Sequence, residues 1–193
     1  MPTVNLHPSS TVSNNWPTLS GSTAHGALSD SSTTTYIRTP DQADLVVFEL
    51  DNYSSGGTIN SIRFVVSGYT FLTRGGDTDV AIRLTSGTNS SYYSETITLN
   101  FNGYVAQDHY GALRTTYDGS NPWDDAKLDD LRLHIDTIVE DPPGVSQATV
   151  VKAWVEVTYT AAGYGHGVNG VAAASIGKIN GVATANISKV NGI

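Results

Sequence analysis

Between Thr33 and Thr160 the chain alternates apolar and polar positions with a period of two, interrupted by clusters of Gly, Pro, Asn, Asp and Ser. That period belongs to β-strands with one face buried, and the clusters belong to turns. TTTYIRT (Thr33 to Thr39) and ADLVVFEL (Ala43 to Leu50) open the series, the first stopped by Pro40. In TINSIRFVVSGY the apolar positions are Ile59, Ile62, Phe64 and Val66. DVAIRLTSG sets Val80, Ile82 and Leu84 against Ala81 and Arg83, and SYYSETITLNF sets Tyr93, Glu95, Ile97 and Leu99 against Ser94, Thr96 and Thr98. GALRTTYDG is a weaker candidate. LRLHIDTIV puts Leu131, Leu133, Ile135 and Thr137 on one face and Arg132, His134 and Asp136 on the other. ATVVKAWVEVTYT opposes Val151, Ala153, Val155, Val157 and Tyr159 to Lys152, Trp154, Glu156 and Thr158. About eight turn-separated strands predict an all-β fold, an antiparallel β-sandwich of the jelly-roll kind.

One short helix interrupts the strands. In NPWDDAKLDD, Asn121 is placed to N-cap, Pro122 suits the first helical position, and Asp124 and Asp125 favour the positive end of the helix dipole. Such a helix plugs one end of a sandwich. Ahead of the strands, residues 1–30 are rich in Pro, Ser, Asn and Gly and read as an extended arm or an irregular first strand, with Trp16 tucked against the main domain. The sandwich domain then spans 31–160, and AAGYGHG (161–167) is a Gly-rich hinge.

After the hinge the period changes from two to eleven. Val168, Asn169, Gly170 and Val171 match Ile179, Asn180, Gly181 and Val182, and again Val190, Asn191, Gly192 and Ile193; Ile176 matches Ile187 and Lys178 matches Lys189. Repetition at this level makes 168–193 a distinct unit. Asn-Gly between β-branched residues signals a type I′ hairpin turn, because both central residues need positive φ. An eleven-residue period also suits a right-handed helical supercoil, but a Gly in every unit argues for short strands and turns. Two units and a fraction fall short of the three or so that a solenoid needs. The apolar surface is therefore expected to be buried by other copies of the chain or by a larger assembly. The expected assembly contacts are Val168, Val171, Ile176, Ile179, Val182, Ile187, Val190 and Ile193, with Trp16 from the arm. A Gly/Ala/Ser-rich linker is the plainer alternative.

Charge sharpens this division. The net charge is −8 and the isoelectric point about 4.8. All 18 acidic side chains lie within residues 1–160, while 161–193 hold two of the ten basic ones and no acid. A mildly basic tail is thus suited to pack on a neighbouring acidic body. The acidic balance disfavours nucleic acid as a partner, and no apolar run reaches the roughly 18 residues of a membrane helix. Cysteine is absent, which removes disulfides, thiol catalysis and Cys-ligated zinc. MPTVNLHPSS has no basic n-region and no apolar core, so no secretory signal is expected.

Chemical motifs are sparse. No G-x-S-x-G elbow occurs, and His7, His25, His109, His134 and His166 show no metal-binding spacing. His134, between Leu133 and Ile135, is expected to face solvent. Asp77 and Asp79 in GGDTD could hold calcium, but the EF-hand spacing is missing. No enzyme, cofactor or metal site is expected. Aromatic residues are the stronger signal: Tyr92, Tyr93, Tyr104, Tyr110, Tyr117, Trp123 and Trp154 could form a sugar-stacking platform. Trp154 is expected to point outward, as a subunit contact, a glycan contact or an anchor under the N-terminal arm.

The VVFEL strand, the TINSIRFVV strand, the Asn-Pro-Trp helix leading into LRLHI and the VVKAWVEVTY strand together resemble compact β-sandwich domains of tailed-bacteriophage structural proteins. The NGV-A-ASI-KINGV tail is similar to repeats at the ends of virion proteins of environmental phages. The resemblance implies a non-enzymatic virion component present in many copies, such as a capsid decoration (cement) protein or a tail or fibre protein. It also implies a homo-oligomer, with a trimer expected, and other virion proteins such as a major capsid or tail protein as partners. It carries no functional residues. A carbohydrate-binding module or adhesin, and an extracellular fibre subunit, are the alternatives.

Overall fold

The computed structural model describes residues 1–16, 18–30, 32, 34–39, 44–72, 78–87, 91–100, 104–138, 146–161, 178–179 and 182–183. In chain order the elements are β1 (Thr3–Leu6), β2 (Pro8–Asn14), β3 (Thr18–Ser20), α1 (Ala24–Ser29), β4 (Tyr36–Arg38), β5 (Leu45–Leu50), β6 (Thr58–Leu72), β7 (Thr78–Ser86) and β8 (Ser91–Leu99). They continue with β9 (Gln107–Tyr110), α2 (Asp125–Asp129), β10 (Leu131–Thr137), β11 (Ser146–Thr160), β12 (Lys178–Ile179) and β13 (Val182–Ala183).

Two antiparallel sheets make the body. The first runs β3-β4-β11-β6-β9, with β1 also paired to β11; the second runs β2-β5-β10-β7-β8. From β4 to β11 the chain passes back and forth between them, so that β4-β11-β6-β9 faces β5-β10-β7-β8. That is the strand order of a jelly roll, two Greek keys folded over each other. The all-β sandwich expected from the periodicity is the fold observed.

Alternation explains the layers. On β10, Leu131, Leu133, Ile135 and Thr137 are buried while Arg132, His134 and Asp136 are half-buried on the opposite face. β7 repeats this with Val80, Ile82 and Leu84 inward. On β11 the core positions are Ala148 and Val150, then Ala153, Val155 and Val157. Their parity changes at a bulge between Val150 and Lys152, which bends the strand and turns Val151 out of the alternation. Opposite the bulge stands Gly68, where a Cβ would lie 2.6 Å from the Thr149 carbonyl oxygen. Phe48, Phe64, Ile62, Ile82, Leu84 and Leu99 are fully buried between the sheets. Each such side chain supplies roughly 1.5–3 kcal/mol of hydrophobic stabilisation.

Residues 1–30, read as an extended arm or an irregular first strand, enter both sheets. β1 pairs with β11 and β2 with β5, the second through two irregularities in register. Trp16, read as tucked against the main domain, is a core residue of its own protomer: it is 1 % exposed, and its indole N–H donates to the Asp44 carbonyl at 2.7 Å. The helix α1 follows, N-capped by Thr23, whose side chain accepts from the Gly26 N–H. It buries Ala24, Ala27 and Leu28.

The helix expected at Asn121 starts later. Asp124 is the N-cap of α2 and accepts from the Lys127 N–H at 2.8 Å. Asn121 is held in the preceding turn by Asp118, which accepts from its backbone and side-chain amides at 2.7 Å each. GALRTTYDG forms no strand and contributes only isolated bridges, Ile62 to Arg114 and Thr116 to Pro122. The strand near it is the polar segment QDHY, which pairs with β6.

Beyond the body, β12 and β13 pair antiparallel, Lys178 with Ala183 and Ile179 with Val182. Asn180 and Gly181, which lie between these two strands in sequence, are outside the described residues. The other Asn-Gly positions, and Val168, Val171, Ile176, Ile187, Val190 and Ile193, lie outside the described residues.

Candidate functional site

The outer faces of the two sheets carry different chemistry. On the second sheet the outward side chains neutralise one another. Arg83 meets Asp136 at 3.0 Å, Arg132 meets Glu49 at 3.5 Å, and Asp79 accepts from the Thr98 hydroxyl at 2.7 Å. His134 sits among them, half-buried and not on an open solvent face, its Nε2 2.8 Å from the Thr85 hydroxyl. Burial, then the charges of Arg83 and Arg132, push its pKa down to about 4, so the imidazole is neutral at pH 7. Most of its charges pair with one another, while Arg83 Nε and His134 Nδ1 are buried without a hydrogen-bond partner.

The outer face of the first sheet is aromatic. The Arg38 guanidinium lies 3.8 Å over the Phe71 ring and 4.8 Å from the Tyr36 ring centre. Tyr104, at φ 65°, leans edge-on toward Tyr69. Farther along, Arg63 is 4.6 Å over Tyr110 and bridges Glu156 at 2.8 Å. Cations over rings hold their geometry because the ring face is electron-rich. Tyr92, Tyr117 and Trp123, three of the residues considered for a platform, pack edge-to-face on one another, and Trp123 is buried. They brace the α2 end of the sandwich. Tyr93 is also internal: its hydroxyl donates to Glu95 and accepts from the Ala112 N–H, and burial followed by the Glu95 bond raises its pKa to about 12.

Trp154 occupies the most distinctive position on the aromatic face. β6 takes one edge of β11 along its whole length, so β1 and β4 must share the other. β4 pairs at Thr149 and Val150 and β1 at Val155 to Thr158, which leaves a notch from Val151 to Trp154. The C-terminal end of α1 closes the notch from the side. The result is a cavity of about 300 Å³. Lys152 and Trp154 form its base, Asn5 and His7 one wall, and Leu28 and Asp30 the other. The rings of His7 and Trp154 are 6.2 Å apart and tilted by 37°. Asp30 is fixed by the Ser32 N–H at 2.9 Å and the Thr35 hydroxyl at 2.8 Å. Two ring nitrogens here, His7 Nδ1 and Trp154 Nε1, are buried without a hydrogen-bond partner.

Alternation along β11 suffices to turn Trp154 outward. It does not reveal the notch, whose walls come from the N-terminal segment. Of the expected assembly residues, Ile179 and Val182 face each other in the β12–β13 pair. Among the described residues no cluster of three or more His, Cys, Asp or Glu could hold a metal, and no helix is long and apolar enough to cross a membrane. Asp77 lies outside the described residues.

No family model and no curated protein matches this chain. Among solved structures, an arabinose-bound family 51 α-L-arabinofuranosidase is similar at 7 % identity with a TM-score of 0.44, over 79 % of this chain. The chain spans 23 % of that enzyme's length.

Proposed function

We propose that this chain is a non-enzymatic structural protein that works in multiple copies, a virion component of the capsid-decoration or tail-fibre kind. The observation that carries the reading is the β12–β13 pair within the eleven-residue repeat. Two paired strands of two residues each give too few cross-strand contacts to hold together alone in water. The repeat sequence around them, rich in Val, Ile and Ala, would gain its stability by stacking on further copies or on a partner. The self-contained jelly-roll body then serves as the presented domain and the tail as the joint, and many weak joints add up through multivalency. A symmetric homo-oligomer, a trimer above all, supplies three tails to one such joint, and a capsid or tail protein is the surface it would meet.

Light scattering of the full chain against a chain ending at Thr160 tests the reading. The full chain should run as an oligomer and the shortened one as a monomer. Equal monomer masses for both, with no binding to purified particles, would remove its basis. A gene lying beside capsid or tail genes would favour the virion setting.

A further inference from the structure

We infer that the notch between β1 and β4 is a binding site for a neutral sugar residue, with the Trp154 indole as its stacking surface. The site is concave, is built from three separate segments and joins an aromatic platform to hydrogen-bonding groups of both kinds. The Trp154 and His7 rings supply apolar faces of the sort on which the C–H face of a pyranose packs. Around them, Asp30 accepts, Lys152 donates, and Asn5 does both. That mixture matches hydroxyl groups, each of which donates and accepts.

Charge selects among ligand classes. Lys152 and Asp30 offset each other inside the notch, so no net positive field gathers a phosphate or carboxylate. The whole chain at −8 repels polyanions. A purely apolar guest would make no use of the Lys152 ammonium and the Asn5 amide that line the notch. The cavity is at the small end of ligand pockets, which fits one ring or the end of a chain.

The site also reads out cleanly. Trp16 and Trp123 are 1 % and 4 % exposed, so of the three tryptophans Trp154 alone lines a cavity open to a ligand. The full-length chain is screened on a glycan array and then titrated with the best neutral sugar, following tryptophan fluorescence. Binding accompanied by a fluorescence change is expected, weakened roughly tenfold or more in Trp154→Ala. Trp154→Ala also uncovers neighbouring apolar surface, so Asn5→Ala and Lys152→Met, both at accessible positions, serve as second variants and should weaken binding severalfold with unchanged melting. No binding to any neutral sugar, or binding that survives all three substitutions, would overturn the inference. Preference for sulfated or sialylated glycans would overturn the neutral assignment. Light scattering of the same variants should show an unchanged oligomer, so failure here is distinguishable from failure of the assembly reading.

Discussion

The body and the tail use the same antiparallel pairing at opposite extremes. β6 and β11 face each other through fourteen Cα partners, from Ser146–Leu72 to Thr160–Thr58. β12 and β13 share two. The long pair carries Phe64, Val66, Val155 and Val157 into a core that a second sheet covers completely. The short pair has no comparable partner among its own four residues. A jelly roll is therefore complete within one chain, whereas a pair of two-residue strands makes too few contacts to stand alone, and on the proposed function the tail stacks on further copies or a partner. Stability of the body should be independent of protein concentration, and stability of the tail should depend on it.

Changes in the body sharpen that contrast because they act on one protomer alone. The largest expected effect is Gly68→Ala. The new methyl would meet the Thr149 carbonyl at the bulge, with the Leu99 methyls 3.3 Å away. Overpacking of this kind costs about 1–3 kcal/mol, and urea unfolding at two protein concentrations should show the same loss at both. Arg63→Ala comes next. It removes both the Glu156 bridge and the stack on Tyr110, a loss of about 1 kcal/mol. Part of that loss should persist in high salt, since the stack is less screened than the ion pair.

The outer face of the second sheet predicts a pH response. His134 has a folded pKa near 4, below the 6.5 of the free side chain. The unfolded chain therefore takes up a proton first as acid is added. The stability due to neutral His134 is complete above pH 6.5 and is lost as pH falls from there toward 4. His134→Gln should flatten the decline of melting temperature over that window, and the imidazole signals should titrate near pH 4 by NMR. An imidazole titrating at 6.5 would place His134 in open solvent. The smallest effect is Arg83→Ala, about 0.5 kcal/mol, because its bridge to Asp136 is more than a quarter exposed on both sides. It should vanish in high salt.

What the sequence made legible follows from the same physics. β7 and β10, and β11 from Ala153 on, each have one wet and one dry face, so alternation assigned their side chains correctly. The β11 bulge changes the parity before Lys152, so Val150 and not Val151 joins the core. β1 and β2 were legible only as an extended arm or an irregular first strand, and β9 not at all. TVNL alternates over only four residues, and PSSTVSN and QDHY are mostly polar segments at sheet edges, held largely through the backbone. The helix α1 is six residues with a Gly inside, and its only signals are Thr23 as cap and the spacing of Ala24, Ala27 and Leu28. At α2, Asn121 and Asp124 are both competent caps, and the Asp118 turn decides between them. Trp154 could be turned outward from its strand. Its neighbours Asn5, His7 and Asp30 could not be known until β1 and α1 were placed.

Sedimentation equilibrium of the full chain against its Ile179→Asp/Val182→Asp variant tests the central claim most directly. The account predicts an oligomer that the two carboxylates dissociate to monomers, with the β-sheet circular dichroism and the urea midpoint of the body unchanged. A wild-type chain that stays monomeric up to the highest concentrations, or an oligomer that the substitutions leave intact, would contradict it.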